Sequence, residues 1–154
     1  MAPTQARLVA VLVAALGLLG GCGQVIDGRA VRAASPADAD QSLIADYFER
    51  SNTAAGEGPQ AQQRFLQETQ HPDVSADGCS LGNVTLTIDP TLSTLRMDEG
   101  WRPEQADRTP RGRIYIVAVT VTVKRDNAQI GTQIGSVHVV VLDGTAYGFA
   151  PCPA

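Results

Sequence analysis

The fold is decided by residues 112–150, GRIYIVAVTVTVKR-DN-AQIGTQIGSVHVVVL-DG-TAYGFA. From Gly112 to Arg125 the apolar residues alternate. Tyr115, Val117, Val119, Val121 and Val123 share one face, while Ile114, Ile116 and Ala118, followed by Thr120, Thr122 and Lys124, form the other. A period of two over this length predicts a long strand with one face buried throughout and the other only in its first half. Asp126-Asn127 turns the chain, and a second strand is expected from Gln129 to Leu142. Its last part, Val137 to Leu142, is a continuous apolar run interrupted only by His138. Asp143-Gly144 is a strong signal for a two-residue hairpin, so Thr145 to Ala150 should return as the final strand.

Upstream, Val84, Leu86 and Ile88 alternate with Thr85 and Thr87 until Asp89-Pro90 ends that strand. Thr94 to Met97 reads as a short strand, and Gly100-Trp101-Arg102-Pro103 with the charged run to Arg111 reads as a loop. Before residue 70 the period changes. Asp40 is expected to cap a helix starting at Gln41, with Leu43, Ile44, Tyr47 and Phe48 on one face. Ser51 to Gly58, containing Asn52 and Gly56, reads as a polar loop. Pro59 suits the first turn of a second helix, which carries Ala61, Phe65 and Leu66 and ends by His71-Pro72. Helices followed by long antiparallel strands predict an α+β class rather than alternating βαβ units. Residues 41–154 then form a single domain.

Of the 154 residues, 44% are hydrophobic, but part of that share lies outside this domain. Leu8 to Leu19, LVAVLVAALGLL, has no polar side chain and follows a short segment with Arg7. As a helix it would rise about 18 Å, against ~30 Å of bilayer hydrocarbon. It is too short for a comfortable span and suits the apolar region of a secretory signal. Next comes Leu19-Gly20-Gly21-Cys22, which resembles the lipobox of bacterial lipoproteins. That resemblance implies a signal peptide over 1–21, a diacylglyceryl group on the Cys22 thiol, cleavage before Cys22 and acylation of the new terminus. An exported protein held by lipid at the outer face of the cell membrane is the expectation. The alternative is an ordinary secreted protein in which Cys22 merely follows the cleavage site. Residues 22–40, rich in Ala, Asp, Gly and Pro, read as the lipidated cysteine and a flexible tether.

The element order itself suggests a family. The helical pair Leu43-Ile44-x-x-Tyr47-Phe48 … Phe65-Leu66 ahead of long strands resembles the nuclear transport factor 2-like, or cystatin-like, α+β cone. Its implication is amino-terminal helices packed on a curved antiparallel sheet. Many actinobacterial envelope lipoproteins carry such a domain after a lipid tether. Eleven arginines against one lysine (Lys124) fit a GC-rich genome.

Twelve basic against sixteen acidic residues give a formal charge of −4, which disfavours a nucleic-acid binder. The five arginines between Arg96 and Arg113 alternate with Asp98, Glu99, Glu104 and Asp107, a mixed surface rather than a phosphate site. Cys79 precedes the first strand and Cys152 follows the last, and an exported domain is expected to join them as a disulfide. A redox pair and a metal site are the alternatives. There is no C-x-x-C, and only two histidines are present to complete a metal set. No cofactor is implied. G-x-S-x-G, G-K-[ST], H-E-x-x-H and G-x-G-x-x-G are absent. Ser136 and His138 share a strand face without an evident acidic partner.

His138 remains the most interesting residue, a histidine in an apolar strand. Ketosteroid isomerases and polyketide cyclases of the cone fold place an ionisable group in an apolar cavity lined by aromatics. By that resemblance Tyr47, Trp101, Tyr115 and His138 are candidate pocket residues; the plainer reading has His138 half exposed, or hydrogen-bonded within the sheet. A non-enzymatic module binding an envelope protein or a small apolar ligand is the leading expectation. A small isomerase or cyclase using His138 is the alternative, and a structural accessory domain a third.

Overall fold

A computed structural model describes residues 36–74, 80–104 and 106–149. Cys22, Cys79 and Cys152, and with them the signal peptide, the lipid anchor and the disulfide, lie outside the described residues. Among the described residues no helix is long and apolar enough to cross a membrane.

Two helices, α1 (Pro36–Glu57) and α2 (Pro59–Glu68), precede a curled antiparallel sheet. Its strands are β1 (Val84–Pro90), β2 (Arg96–Met97), β3 (Arg113–Arg125), β4 (Ala128–Leu142) and β5 (Thr145–Gly148). The order is β1-β3-β4-β5, with β2 beside β3 next to β1. The α+β class is as expected. Both hairpin turns are as expected too, with positive φ at Asp126 and Asn127 and at Asp143 and Gly144.

The helical region differs from expectation. α1 begins at Pro36, so residues 36–40, expected to be tether, are its first turns, and Asp40 lies inside the helix rather than capping it. It also runs through Ser51–Glu57, where a loop was expected. Ser51 and Ala55 continue the buried stripe of Ile44, Tyr47 and Phe48 at helical spacing, and tertiary burial outweighs the weak propensities of Asn52 and Gly56. The junction is a single residue, Gly58, whose φ of 120° favours glycine. Thr94 ends a 3-10 turn (Leu92–Thr94) rather than starting a strand, and β2 is only Arg96–Met97.

Strand alternation sorts the core into two layers. On the helix side Tyr115, Val117, Val119, Val139, Val141 and Ala146 pack against Ile44, Tyr47, Phe48, Phe65 and Leu66. On the far side Ile114 and Val140, partners across β3 and β4, are also buried. The margin of the sheet at β1 is closed by side chains. The Gln62 amide donates to the Leu86 carbonyl (2.7 Å) and accepts from its N–H (2.8 Å). Asn52 does the same to Ile88, at 2.7 and 2.8 Å. Two helical amides thus stand in for the strand that β1 lacks.

Candidate functional site

The candidate pocket residues fall on opposite sides of the sheet. Tyr47 and Tyr115 lie in the helix-side core. His138 stands opposite Ile116 on the far face, with Trp101 stacked on it. The far-face group is built by one turn and one strand. Asp98 donates its N–H to the Ile114 carbonyl, and the turn closes through Trp101 N–H to the Asp98 carbonyl (3.1 Å). That turn brings the Asp98 Oδ2 within 3.0 Å of His138 Nε2 and lays the indole over the imidazole, centroids 3.9 Å apart and planes 10° apart. His138 retains 15% side-chain exposure. Phe149 meets the indole edge-on at 4.7 Å, and His71 stacks on Phe149 at 5.8 Å. The result is an aromatic layer over the far face of the sheet.

The sequence marks His71 only as a residue that ends a helix, yet it is fully buried in this layer. Its Nδ1 accepts from the Asp73 N–H at 3.1 Å, so Nε2 carries the proton and donates to the Arg111 carbonyl at 2.9 Å. Asp73 and Arg111 complete the clasp with a paired side-chain bridge at 2.8 Å. The Arg111 hydrogen bonds hold the Asp73 carboxyl well below the usual carboxylate range. His71 thereby joins the segment after α2 to the segment before β3. Nothing in the local sequence marks that role beyond a histidine ahead of a proline.

On the helix side the ionisable group missed by sequence reasoning is Asp40, which is 2% exposed. Its carboxylate accepts from Arg113 Nε and Nη2 at 2.5 and 2.6 Å and from the Tyr115 hydroxyl at 2.6 Å. The Arg113 hydrogen bonds lower the Asp40 pKa; burial opposes them, and Tyr115 adds to them. The Tyr115 phenol is raised, first by burial and then by the Asp40 carboxylate. Burial likewise raises Tyr47, whose ring packs against Phe48 and Phe65. Tyr47 and Tyr115 are therefore filling and fastening the core.

Open depressions do occur at the surface. One of about 490 Å³ is lined by Ala45, Phe48, Glu49, Asn52, Thr53 and Pro90. Another of about 390 Å³ lies beside Gln63, Arg64 and Ser80. Neither is lined by His138. Among the described residues no group of three or more His, Cys, Asp or Glu is placed to hold a metal ion. Compared with protein-family models, curated proteins and solved structures, the chain matches none.

Proposed function

We propose that the chain is an exported envelope lipoprotein, anchored through lipid on Cys22 at the outer face of the cell membrane. Its α+β domain acts as a non-enzymatic binding or accessory module for a protein partner. The observation that carries the binding role is the filling of the helix side of the sheet. Ile44, Phe48, Val117, Val139 and Val141 are buried to 2% exposure or less, with the rings of Tyr47 and Tyr115 between helices and strands. A domain whose interior is filled works through its outside, and this favours a protein partner over a small apolar ligand. Helices over a curled sheet also fit the nuclear transport factor 2-like, or cystatin-like, cone that the sequence resembles. The anchor rests on the Leu19-Gly20-Gly21-Cys22 motif, and the Cys79–Cys152 disulfide on the placement of those residues around the strands.

Co-purification from envelope fractions in mild detergent, compared between wild type and Cys22→Ser, tests both parts. Wild type should carry palmitate label and retain a stoichiometric protein partner, and the variant should leave the membrane. Persistent attachment of the variant refutes the anchor; a wild-type chain recovered with extracted lipid alone refutes the protein-binding role. Thiol titration without reductant tests the disulfide, which two reactive thiols would exclude.

The second reading, a small enzyme using His138, draws on one specific observation. The acidic partner absent from the local sequence is Asp98, 3.0 Å from Nε2. His138→Ala abolishing a turnover found on a panel of isomerase, cyclase or ester substrates would favour it.

A further inference from the structure

The sheet has margins that are treated differently. At β1 the outward backbone groups of Leu86 and Ile88 are taken by Gln62 and Asn52, and the Val84 N–H by the Leu81 carbonyl. At β5 the outward groups of Gly148 are taken by the Thr69 carbonyl and the His71 N–H. β4 is covered by β5 only over Val139–Leu142. Among the described residues no strand pairs with its margin from Ala128 to Val137.

Which groups face that margin follows from the hairpin. The two-residue turn Asp143-Gly144 makes Leu142 and Thr145 the hydrogen-bonded pair, so alternate residues of β4 direct N–H and C=O away from β3. Counting back from Leu142, Ser136, Ile134 and Thr132 are the outward positions on the open stretch. All three are exposed, and Ile134 is 81% exposed.

Two of the devices that keep such an edge from pairing, charged side chains and proline, are absent, and the one irregularity of the strand, at Ile130, lies outside Thr132–Ser136. Ala128–Leu142 contains no Asp, Glu, Lys, Arg or Pro. The open stretch is also a tandem repeat, Gln129-Ile130-Gly131-Thr132 followed by Gln133-Ile134-Gly135-Ser136. Its outward positions read hydroxyl, isoleucine, hydroxyl in either direction.

We infer that the Thr132–Ser136 margin of β4 pairs antiparallel with the same margin of a second copy of this chain, around a two-fold axis at Ile134. Thr132 of one copy then faces Ser136 of the other, and each such pair exchanges N–H···O=C bonds in both directions. Ile134 meets its own symmetry mate, burying the most exposed large apolar side chain of the described residues. A self-complementary strip on a two-fold closes after two copies and does not propagate. The acidic chain meets its copy along a strip without charge, so like-charge repulsion is not concentrated there. The contact is short for a stable interface in dilute solution, and anchoring two copies in one membrane would strengthen it by raising their effective concentration. This gives the proposed binding module a specific partner. It is tested on purified chain alone, so its failure leaves the search for an envelope partner untouched.

Ile134→Pro is the discriminating variant. The Ile134 N–H points away from β3, so proline removes a bond from the dimer and none from the β3–β4 ladder, and edge positions tolerate proline. The full chain is purified in mild detergent and followed by sedimentation velocity at up to ~100 µM. Ile134→Cys is oxidised in parallel with Gln60→Cys, an exposed helical control. Wild type should dimerise with concentration, and Ile134→Cys should form a disulfide-linked dimer that Gln60→Cys does not. Ile134→Pro and Ile134→Lys should lose the dimer while keeping wild-type circular dichroism. A wild-type chain that stays monomeric, an Ile134→Cys chain that cross-links no more than the control, or a folded Ile134→Pro chain that still dimerises overturns the inference.

Discussion

Replacing Gln62 by Met tests whether a side-chain amide really closes the β1 margin. Gln62 is 0% exposed and makes two hydrogen bonds to one residue, at 2.7 Å to the Leu86 carbonyl and 2.8 Å from its N–H. Met matches its length and removes both, leaving the half-buried Leu86 N–H and C=O facing an apolar side chain. Each buried group left unsatisfied costs about 1–3 kcal/mol, and the apolar side chain returns part of it through burial. A net loss of about 3 kcal/mol is expected, or roughly 10 °C in Tm for a domain of this size. Gln62→Glu separates hydrogen bonding from packing. Its carboxylate can still accept from the Leu86 N–H but places a second oxygen against the Leu86 carbonyl, so the folded state prefers the protonated acid. A folded pKa raised above the unfolded ~4.3 means that this variant gains stability as pH falls. Urea titration monitored by circular dichroism and by the single Trp101 measures both. A Gln62→Met chain within about 0.5 kcal/mol of wild type, or a Gln62→Glu chain with no relative gain toward acid pH, would refute the reasoning.

Two further outcomes follow from the helix side of the sheet. Gly148→Ala should destabilise by about 2 kcal/mol or more, because a Cβ there would collide with the Tyr47 hydroxyl while the Gly148 backbone is held by Thr69 and His71. Tyr47→Phe should relieve part of that cost, which a double-mutant cycle in urea measures as coupling. Asp40→Asn should flatten the acid limb of the stability curve. The lowered Asp40 pKa contributes stability that is fully present above the unfolded carboxylate value and is lost as pH falls through the folded one. The buried Tyr115 bond alone is worth about 1.5–3 kcal/mol as a hydrogen bond to a charged group.

The strands were legible because each has a local signature. Alternation marks β1 and β3, and Asp126-Asn127 and Asp143-Gly144 supply the residues that left-handed turn positions tolerate. The helices were less legible because their boundaries depend on distant partners. Asn52 looks like a helix breaker until β1 provides Ile88 to bond it. Asp40 looks like a cap until Arg113 and Tyr115, more than seventy residues on, surround it. Gln62 did leave a trace, since it falls on the same helical stripe as Phe65 and Leu66. A lone amide on an apolar stripe needs a partner at its own depth, and a neighbouring strand margin is what supplies a donor and an acceptor together. The wall between α1 and α2 on one side and β1 on the other therefore follows from two polar residues as much as from the apolar ones.

The candidate pocket failed to assemble for a reason that lies in a single residue. Asp126-Asn127 sets Arg125 opposite Ala128. An unbroken ladder from that pair would place Tyr115 opposite His138, both on the helix side and near Tyr47. The ladder is broken between Val123 and Lys124, where Gln129 pairs with Lys124 and Gly131 with Val123, so Ile130 is an extra residue. Beyond it Tyr115 faces Val139 and Ile116 faces His138. A shift of one residue reverses the face of every side chain that follows. It delivers Val137, Val139 and Val141 to the helices, and it sends His138 outward to Asp98 and Trp101. The same shift turns Thr132, Ile134 and Ser136 to the far face of an open margin. The bulge therefore settles three things together: an apolar helix-side core, a histidine outside it, and the side on which the exposed isoleucine stands.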